Sequence, residues 1–369
     1  MVEHARGNLL NADAEALVNT VNCVGVMGKG IALQFKQAYP EMNKAYEKAC
    51  ERGDVRPGSM LVWETGQFRG PRYVINFPTK RHWKSRSRYE DIEAGLAALV
   101  EEVEKRAISS IAVPPLGCGN GGLAWSKVRP MIEDAFMKLP NVRVLLYAPG
   151  GQPATDQRVI RTPRPRMTRA RALFVLAMDR YAVLAYETTQ LEIQKLAYFL
   201  QEAGERLRLR YTASHYGPYA DNLNKALEDM EGHLISGFDG SRSPERIIGL
   251  QQGATEDAAA FLQDDKDATS RMDRLARLIE GFETPYGMEL LSSVHWVAVH
   301  GMPPAQTADE AVAAVHGWSR RKAKGFEAQH IRKAWQRLRE QGWLTVAEET
   351  ADDSNCTPIG SNSTPIHSN

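Results

Sequence analysis

The residues equipped for chemistry gather in three short runs of the first third of the chain. They are Asn22-Cys23-Val24-Gly25-Val26-Met27-Gly28-Lys29-Gly30, Asn76-Phe77-Pro78-Thr79-Lys80 and Pro114-Pro115-Leu116-Gly117-Cys118-Gly119-Asn120-Gly121-Gly122. Each follows a strand-like stretch, and the first and third lead into helix-like ones. Glycine-rich turns at the carboxyl edge of a sheet present backbone N–H groups and helix N-termini that hold a diphosphate. Lys80 is the reactive group beside them. Partial burial and the cations Arg81, Lys84 and Lys29 would lower its proton affinity and leave a nucleophilic amine. A solvated surface lysine is the ordinary alternative, and the flanking glycine runs weigh against it. Asn22 either caps its own turn or holds a ribose hydroxyl by donating and accepting together. Tyr147 is either core or the lip on which a purine stacks.

Two better-known motifs fail on their details. Gly117, Gly119 and Gly122 satisfy G-x-G-x-x-G, but the next strand ends Leu146-Tyr147-Ala148-Pro149 without an acid for ribose hydroxyls. That unit also closes its domain instead of opening it, so a hydride-transferring enzyme is a weak alternative. Gly28-Lys29 is followed by Gly30, not Ser or Thr, and Cys23 stands where a P-loop needs its first glycine. Magnesium and a terminal phosphate would have no ligands there.

The elements that must position these runs are strands near Leu17–Val21, Met60–Trp63, Tyr73–Asn76, Ile108–Pro114 and Val142–Tyr147. Helices lie between them. One starts at Ser87, with Glu90 completing a capping box, and carries Ile92, Leu96, Leu99 and Val103 on one face. Another carries Val128, Ile132, Phe136 and Leu139. Such alternation predicts an α/β unit with helices on both faces of the sheet. Residues 152–167 read as a basic, Pro-containing linker, solvated or else a strap near a nucleic-acid path. Residues 168–347 read as mainly helical, with Thr189 capping one helix, His215–Tyr219 forming a turn before the next, and Gly342 closing a helix that carries Ile331, Trp335 and Leu338. Residues 348–369 bury nothing and read as a disordered tail.

At 369 residues, with 43% hydrophobic and 25% charged residues, the chain has material for two cores. A net charge of +1 excludes coating nucleic acid by bulk electrostatics. The four cysteines lack metal-ligand spacing, which suits free thiols. With no leader-like start and no run of about 18 apolar residues, a cytoplasmic protein without membrane contact is expected.

Taken together, residues 1–151 resemble the macrodomain family, the ADP-ribose-binding module. Gly7-Asn8-Leu9-Leu10, Asn19 to Asn22, Gly25 to Ala32, Pro114 to Leu123 and the Tyr147 strand end stand at the family's motif positions. Asn-Phe-Pro-Thr-Lys followed by Arg81-His82-Trp83 is most similar to the lysine-dependent glycohydrolase branch, and within it to the DarG antitoxins of DarT/DarG pairs. The resemblance implies a three-layer α/β/α fold with a mixed sheet, followed by a mainly α-helical C-terminal domain.

It further implies that Gly28, Lys29, Gly30, Ile31 and Ala32 embrace a diphosphate together with Leu116, Gly117, Cys118, Gly119, Asn120, Gly121, Gly122 and Leu123. Asn8, Leu9, Thr79 and Tyr147 line the rest of the ADP-ribose site. Asn22 holds the distal ribose, and Lys80 is catalytic at its anomeric carbon; no cofactor or metal is implied. The implied substrate is single-stranded DNA ADP-ribosylated on a base, the product is ADP-ribose, and the implied partner is the DarT toxin, bound by the C-terminal domain. There, the Leu191–Leu200 helix and Tyr216-Gly217-Pro218 resemble a SocA-like antitoxin (Panacea) domain. Two departures stand out. Asn8 replaces a usual aspartate that receives the adenine amino group, and Asn120-Gly121 stands where a related enzyme has an acid. A non-catalytic ADP-ribose-binding macrodomain fused to a DNA-binding regulator, drawing on Arg320-Arg321-Lys322-Lys324, is the rival reading.

Overall fold

The computed structural model describes residues 1–150, 158–182 and 187–344. Part of the expected linker, the end of the helical half at residue 347 and the whole expected tail 348–369 lie outside the described residues. Ten elements build the first unit: β1 Val2–Ala5, β2 Ala16–Asn22, α1 Gly30–Ala38, α2 Pro40–Glu51, β3 Leu61–Glu64, β4 Tyr73–Lys80, α3 Tyr89–Lys105, β5 Ser110–Val113, α4 Trp125–Phe136 and β6 Arg143–Tyr147. The sheet runs β1-β6-β5-β2-β4-β3. Only β3 pairs antiparallel, against β4, so the sheet is mixed. Leu17, Val21, Val74 and Leu145 pack under α1 and α2, while Val18, Ile75, Phe77 and Val144 face α3 and α4. The three-layer α/β/α arrangement follows from that alternation of side chains.

A buried amide pair sits at the centre of the sheet. Asn19 and Asn76 face each other across β2 and β4, and Asn19 Nδ2 donates to Asn76 Oδ1 at 2.9 Å. Three residues on, the register shifts: Val21 pairs with Pro78 but Asn22 pairs with Lys80. The extra residue is Thr79, and such a bulge re-aims the side chains that follow it. It carries the end of β4 round to the end of β2.

The capping box expected at Ser87 is corrected. α3 starts two residues later, and its N-cap Arg88 makes no side-chain cap. Ser87 instead belongs to the third run: its N–H donates to Gly121 O at 3.0 Å. The apolar stripe Ile92, Leu96, Leu99 and Val103 is buried as its spacing requires.

The second half is mainly helical. α5 Arg169–Ala182 and α6 Gln190–Glu202 come first, then a hairpin of β7 Tyr211–Ser214 and β8 Gly217–Ala220, then α7 Leu223–Met230. The His215–Tyr219 stretch is therefore the turn and return strand of a hairpin, with Gly217 at φ +88°. Thr189 starts α6 as expected, and Glu192 accepts its N–H at 2.7 Å. Further helices over Pro285–Val299 and Ala328–Glu340 pack into one core with Phe199, Leu290, Ile331 and Trp335.

The basic stretch after residue 157 is partly solvated, with Arg161, Arg164 and Arg166 exposed, but most of its arginines have acidic or aromatic partners. Arg158 forms a buried ion pair with Glu231, Arg164 pairs with Asp257 at 2.6 Å, and Arg169 binds Glu205 at 3.1 Å and Asp267 at 2.6 Å. Arg161 N donates to Gln37 O at 2.8 Å, and its guanidinium lies over Tyr39. The ion pairs tie the stretch to the second half, and Arg161 ties it to the first. Glu231 feels the burial: it is pushed up to about 7, against the pull of Arg158 and the Gly237 and Phe238 N–H groups. Among the described residues no helix is long and apolar enough to cross a membrane.

Candidate active site

The three runs converge on one cleft of about 1050 Å³ at the carboxyl edge of the parallel strands. β2 delivers Asn22, β4 delivers Thr79 and Lys80, and β6 delivers Tyr147. The loops after β2 and β5 form the opposing walls. Of the residues expected to hold ADP-ribose, Asn8, Leu9, Asn22, Gly28, Lys29, Gly30, Ile31, Ala32, Thr79, Gly117, Gly119, Asn120, Gly121 and Tyr147 line it, together with Lys80. Leu116, Cys118, Gly122 and Leu123 do not. Leu116 is fully buried in the core behind the loop, and Cys118 and Leu123 pack on that core because their side chains are apolar. Burial pushes the Cys118 thiol up to about 11, so it remains protonated.

The loop after β5 is built to expose amides. Gly117 takes φ +69° and Gly122 φ +76°, conformations that disfavour side-chain-bearing residues. Gly117 O accepts the Leu123 N–H at 3.0 Å. A Cβ on Gly121 would stand 2.2 Å from Gly117 O and 2.3 Å from Ser87 Oγ, so only glycine fits there. Across the cleft, α1 begins at Gly30 with Lys29 as N-cap and no side-chain capping bond. Its Gly30 N–H is taken by Asp239 O at 3.1 Å, and the next residues of its first turn, Ile31 and Ala32, line the cleft at the positive end of the helix dipole.

Asn22 works hard as a turn-builder. Its Oδ1 accepts from Val24 N at 3.0 Å, Val26 N at 3.3 Å and Tyr46 OH at 3.2 Å, and its Nδ2 donates to Val26 O at 2.5 Å. The amide thus shapes the first glycine run from inside the cleft wall. Asn8 Oδ1 likewise accepts the Leu10 N–H at 3.0 Å.

Lys80 spans the cleft floor. Its Nζ donates to Asn120 O in the opposite loop. Burial pushes its proton affinity below the ordinary lysine value, and the Lys29 ammonium pushes in the same direction. Of the three cations expected to crowd it, only Lys29 contributes. Arg81 is committed to Asp91 through two bonds of 2.7 and 2.9 Å, and the Lys84 ammonium sits 4.8 Å from the centroid of the Trp83 ring. An amine of lowered proton affinity, held between two glycine-rich loops, is placed to attack an electrophilic carbon once it gives up its proton.

The cleft has walls that the sequence did not reveal. Trp83 lines its mouth from the first half, and Asp221, Asn224, Lys225, Gly240 and Arg242 line it from the second. Trp83 had a faint signal in the Arg81-His82-Trp83 run. Nothing in the text marks residues some two hundred positions away as neighbours. The basic cluster at 320–324, by contrast, does not form an open patch. Lys322 is fully buried, donating to Glu289 Oε1 at 2.7 Å and Ser293 Oγ at 2.9 Å, and Arg321 pairs with the same carboxylate.

Comparison with known proteins adds identity to geometry. A Macro domain family model matches residues 18–132. A DNA ADP-ribosyl glycohydrolase of Thermus aquaticus is 45% identical over 348 residues, covering 94% of this chain and 96% of that protein. A DNA ADP-ribosyl transferase-DNA ADP-ribosyl glycohydrolase fusion protein of Thermosipho africanus is 35% identical over 158 residues, 39% of this chain and 40% of that one. The solved macrodomain of Mycobacterium tuberculosis DarG is 57% identical, with a TM-score of 0.41, covering 41% of this chain and 99% of that structure.

Proposed function

The chain belongs to the DNA ADP-ribosyl glycohydrolase (DarG) family, and from that premise we propose that it strips ADP-ribose from bases of single-stranded DNA through Lys80. The observation that carries this reading is the Lys80 amine, half-buried between two amide-rich loops, with its proton affinity lowered. The loops hold the pyrophosphate, and the purine lies toward Tyr147 and Asn8. The distal ribose then lies against Lys80. The neutral amine attacks the anomeric carbon, the bond from that carbon to the base nitrogen breaks, and the base leaves with the proton that the attacking amine gives up. The sugar ring opens to leave an imine on Lys80, and one water hydrolyses it to ADP-ribose and the free amine. Holding the sugar by its diphosphate supplies the proximity that a weak nucleophile requires.

The test uses an oligonucleotide ADP-ribosylated on a defined base. Lys80→Ala is expected to abolish release of ADP-ribose, identified by mass, while ADP-ribose still binds. Borohydride is expected to trap an adduct of the ribose on Lys80 during turnover by the unaltered chain. Retained turnover in the variant would remove Lys80 from the mechanism.

The helical half is proposed to bind and neutralise the DarT transferase. Two findings support it: similarity to a named glycohydrolase extends across both halves, and a relative carries transferase and glycohydrolase in one chain. The buried state of Lys322 and the pairing of Arg321 weigh against the rival DNA-binding regulator. Lys80→Ala is expected to form a complex with DarT and to suppress its transfer activity; a variant that failed in both would refute the division of labour.

A further inference from the structure

We propose that the helical half is part of the hydrolase itself, with Arg242 gripping a phosphate of the DNA strand that carries the ADP-ribose. The inference rests on the proposed substrate and concerns a residue far outside the macrodomain. The two halves lock at the first glycine run. Gly30 N donates to Asp239 O at 3.1 Å, and a Cβ on Gly240 would fall 1.8 Å from Gly28 O, so these two backbones touch. The Asp239 carboxylate accepts the Ser241 N–H at 2.8 Å and pairs with Arg246, which fixes the path of residues 239–242. Arg242 is thereby held in a defined place on the cleft wall.

The departing DNA would pass this wall. If the diphosphate sits between the loops and the distal ribose against Lys80, the attached base and its flanking phosphates exit past the lysine. The field of Lys29 reaches Lys80, and that of Arg242 reaches Lys29, so cations run in a row from the reacting amine to the second half. The nearby Glu228 is already occupied by Lys36 and Lys225. Among the described residues Arg242 has one anionic partner, Asp221, at 2.6 Å, with the two side chains 55% and 64% exposed. An exposed pair of this kind holds weakly. A phosphate, offering two oxygens to the planar guanidinium, can displace the carboxylate.

The test compares two substrates of the full chain: an ADP-ribosylated single-stranded oligonucleotide and the same base as an ADP-ribosylated nucleoside, which has no flanking phosphates. Arg242→Ala is expected to raise KM for the oligonucleotide about fivefold with kcat unchanged, and to leave the nucleoside reaction alone. The slope of log(kcat/KM) against log salt for the oligonucleotide should flatten by about 0.7, one phosphate contact on a single strand. Arg242→Lys should recover most of the KM. Equal losses on both substrates would mean that Arg242 only props the wall, and no change on either would mean that it touches no strand; both overturn the inference while leaving the glycohydrolase reading intact. No release from either substrate by the unaltered chain would instead overturn the proposed function, and this inference with it.

Discussion

Adding one methyl group at Gly121 tests whether the loop after β5 grips the pyrophosphate. The residue has an ordinary φ, so Gly121→Ala strains no torsion. The new Cβ would stand 2.2 Å from Gly117 O and 2.3 Å from Ser87 Oγ, and one of these contacts is backbone. Ordinary contact needs roughly 3.4 Å, so the loop must open by about an ångström. The Ser87 N–H bond to Gly121 O, 3.0 Å in the intact loop, cannot survive that shift. Its loss costs about 1 kcal/mol of stability, within reach of a folded variant. Binding suffers more, because hydrogen bonds to a charged phosphate are worth about 1.5–3 kcal/mol each. Losing one or two of them, about 3 kcal/mol, weakens ADP-ribose binding by about a hundredfold. Asn120 O moves with the loop, so Lys80 loses its anchor and turnover falls as well. Titration calorimetry with ADP-ribose, alongside a thermal melt to establish folding, reads both effects. A folded Gly121→Ala protein that bound within threefold of the unaltered chain would show that the loop does not hold the diphosphate.

Three further outcomes are expected. Lys29→Gln removes a positive charge that pushes the Lys80 amine toward its neutral form, so the acid limb of the kcat–pH profile should move to higher pH; a stationary limb would mean that burial alone sets the amine. Gly95→Ala places a Cβ 2.2 Å from Phe77 Cζ in the core and should cost about 2 kcal/mol, read as a lower urea midpoint that Phe77→Leu partly restores. Lys195 is fully buried, donates to Pro218 O at 2.7 Å, and is pushed down to about 7 by desolvation. Its folded form therefore binds a proton less readily than the unfolded chain, so it contributes rising stability as pH climbs from about 7 toward 9. Lys195→Met should flatten the pH dependence of the urea midpoint across that window, and an unchanged slope would contradict the assignment.

What could be read from the sequence follows the range of the forces involved. β2 and β4 announced themselves because short runs rich in β-branched and aromatic side chains fix a strand locally, and the lysine at the end of β4 came with them. The glycine runs were legible because positive φ at Gly117 and Gly122 needs that residue. Ser87 was misread because a serine three residues before a glutamate looks the same whether it caps a helix or pins a neighbouring loop. The arginines after residue 157 were visible as charge, but their acidic partners lie up to a hundred positions away. Arg242 and Gly240 had no local signature. Their meaning comes only from the packing of one half on the other.

The buried amides Asn19 and Asn76 bear on the reaction without approaching it. Sliding β4 by one residue along β2 would strand both amides in an apolar interior and turn Lys80 to the opposite face of the sheet. Four residues of strand, about 13 Å, separate Asn76 from Lys80. Two side chains that no substrate ever meets thus act as an alignment pin, and the aim of the nucleophile is decided deep in the sheet.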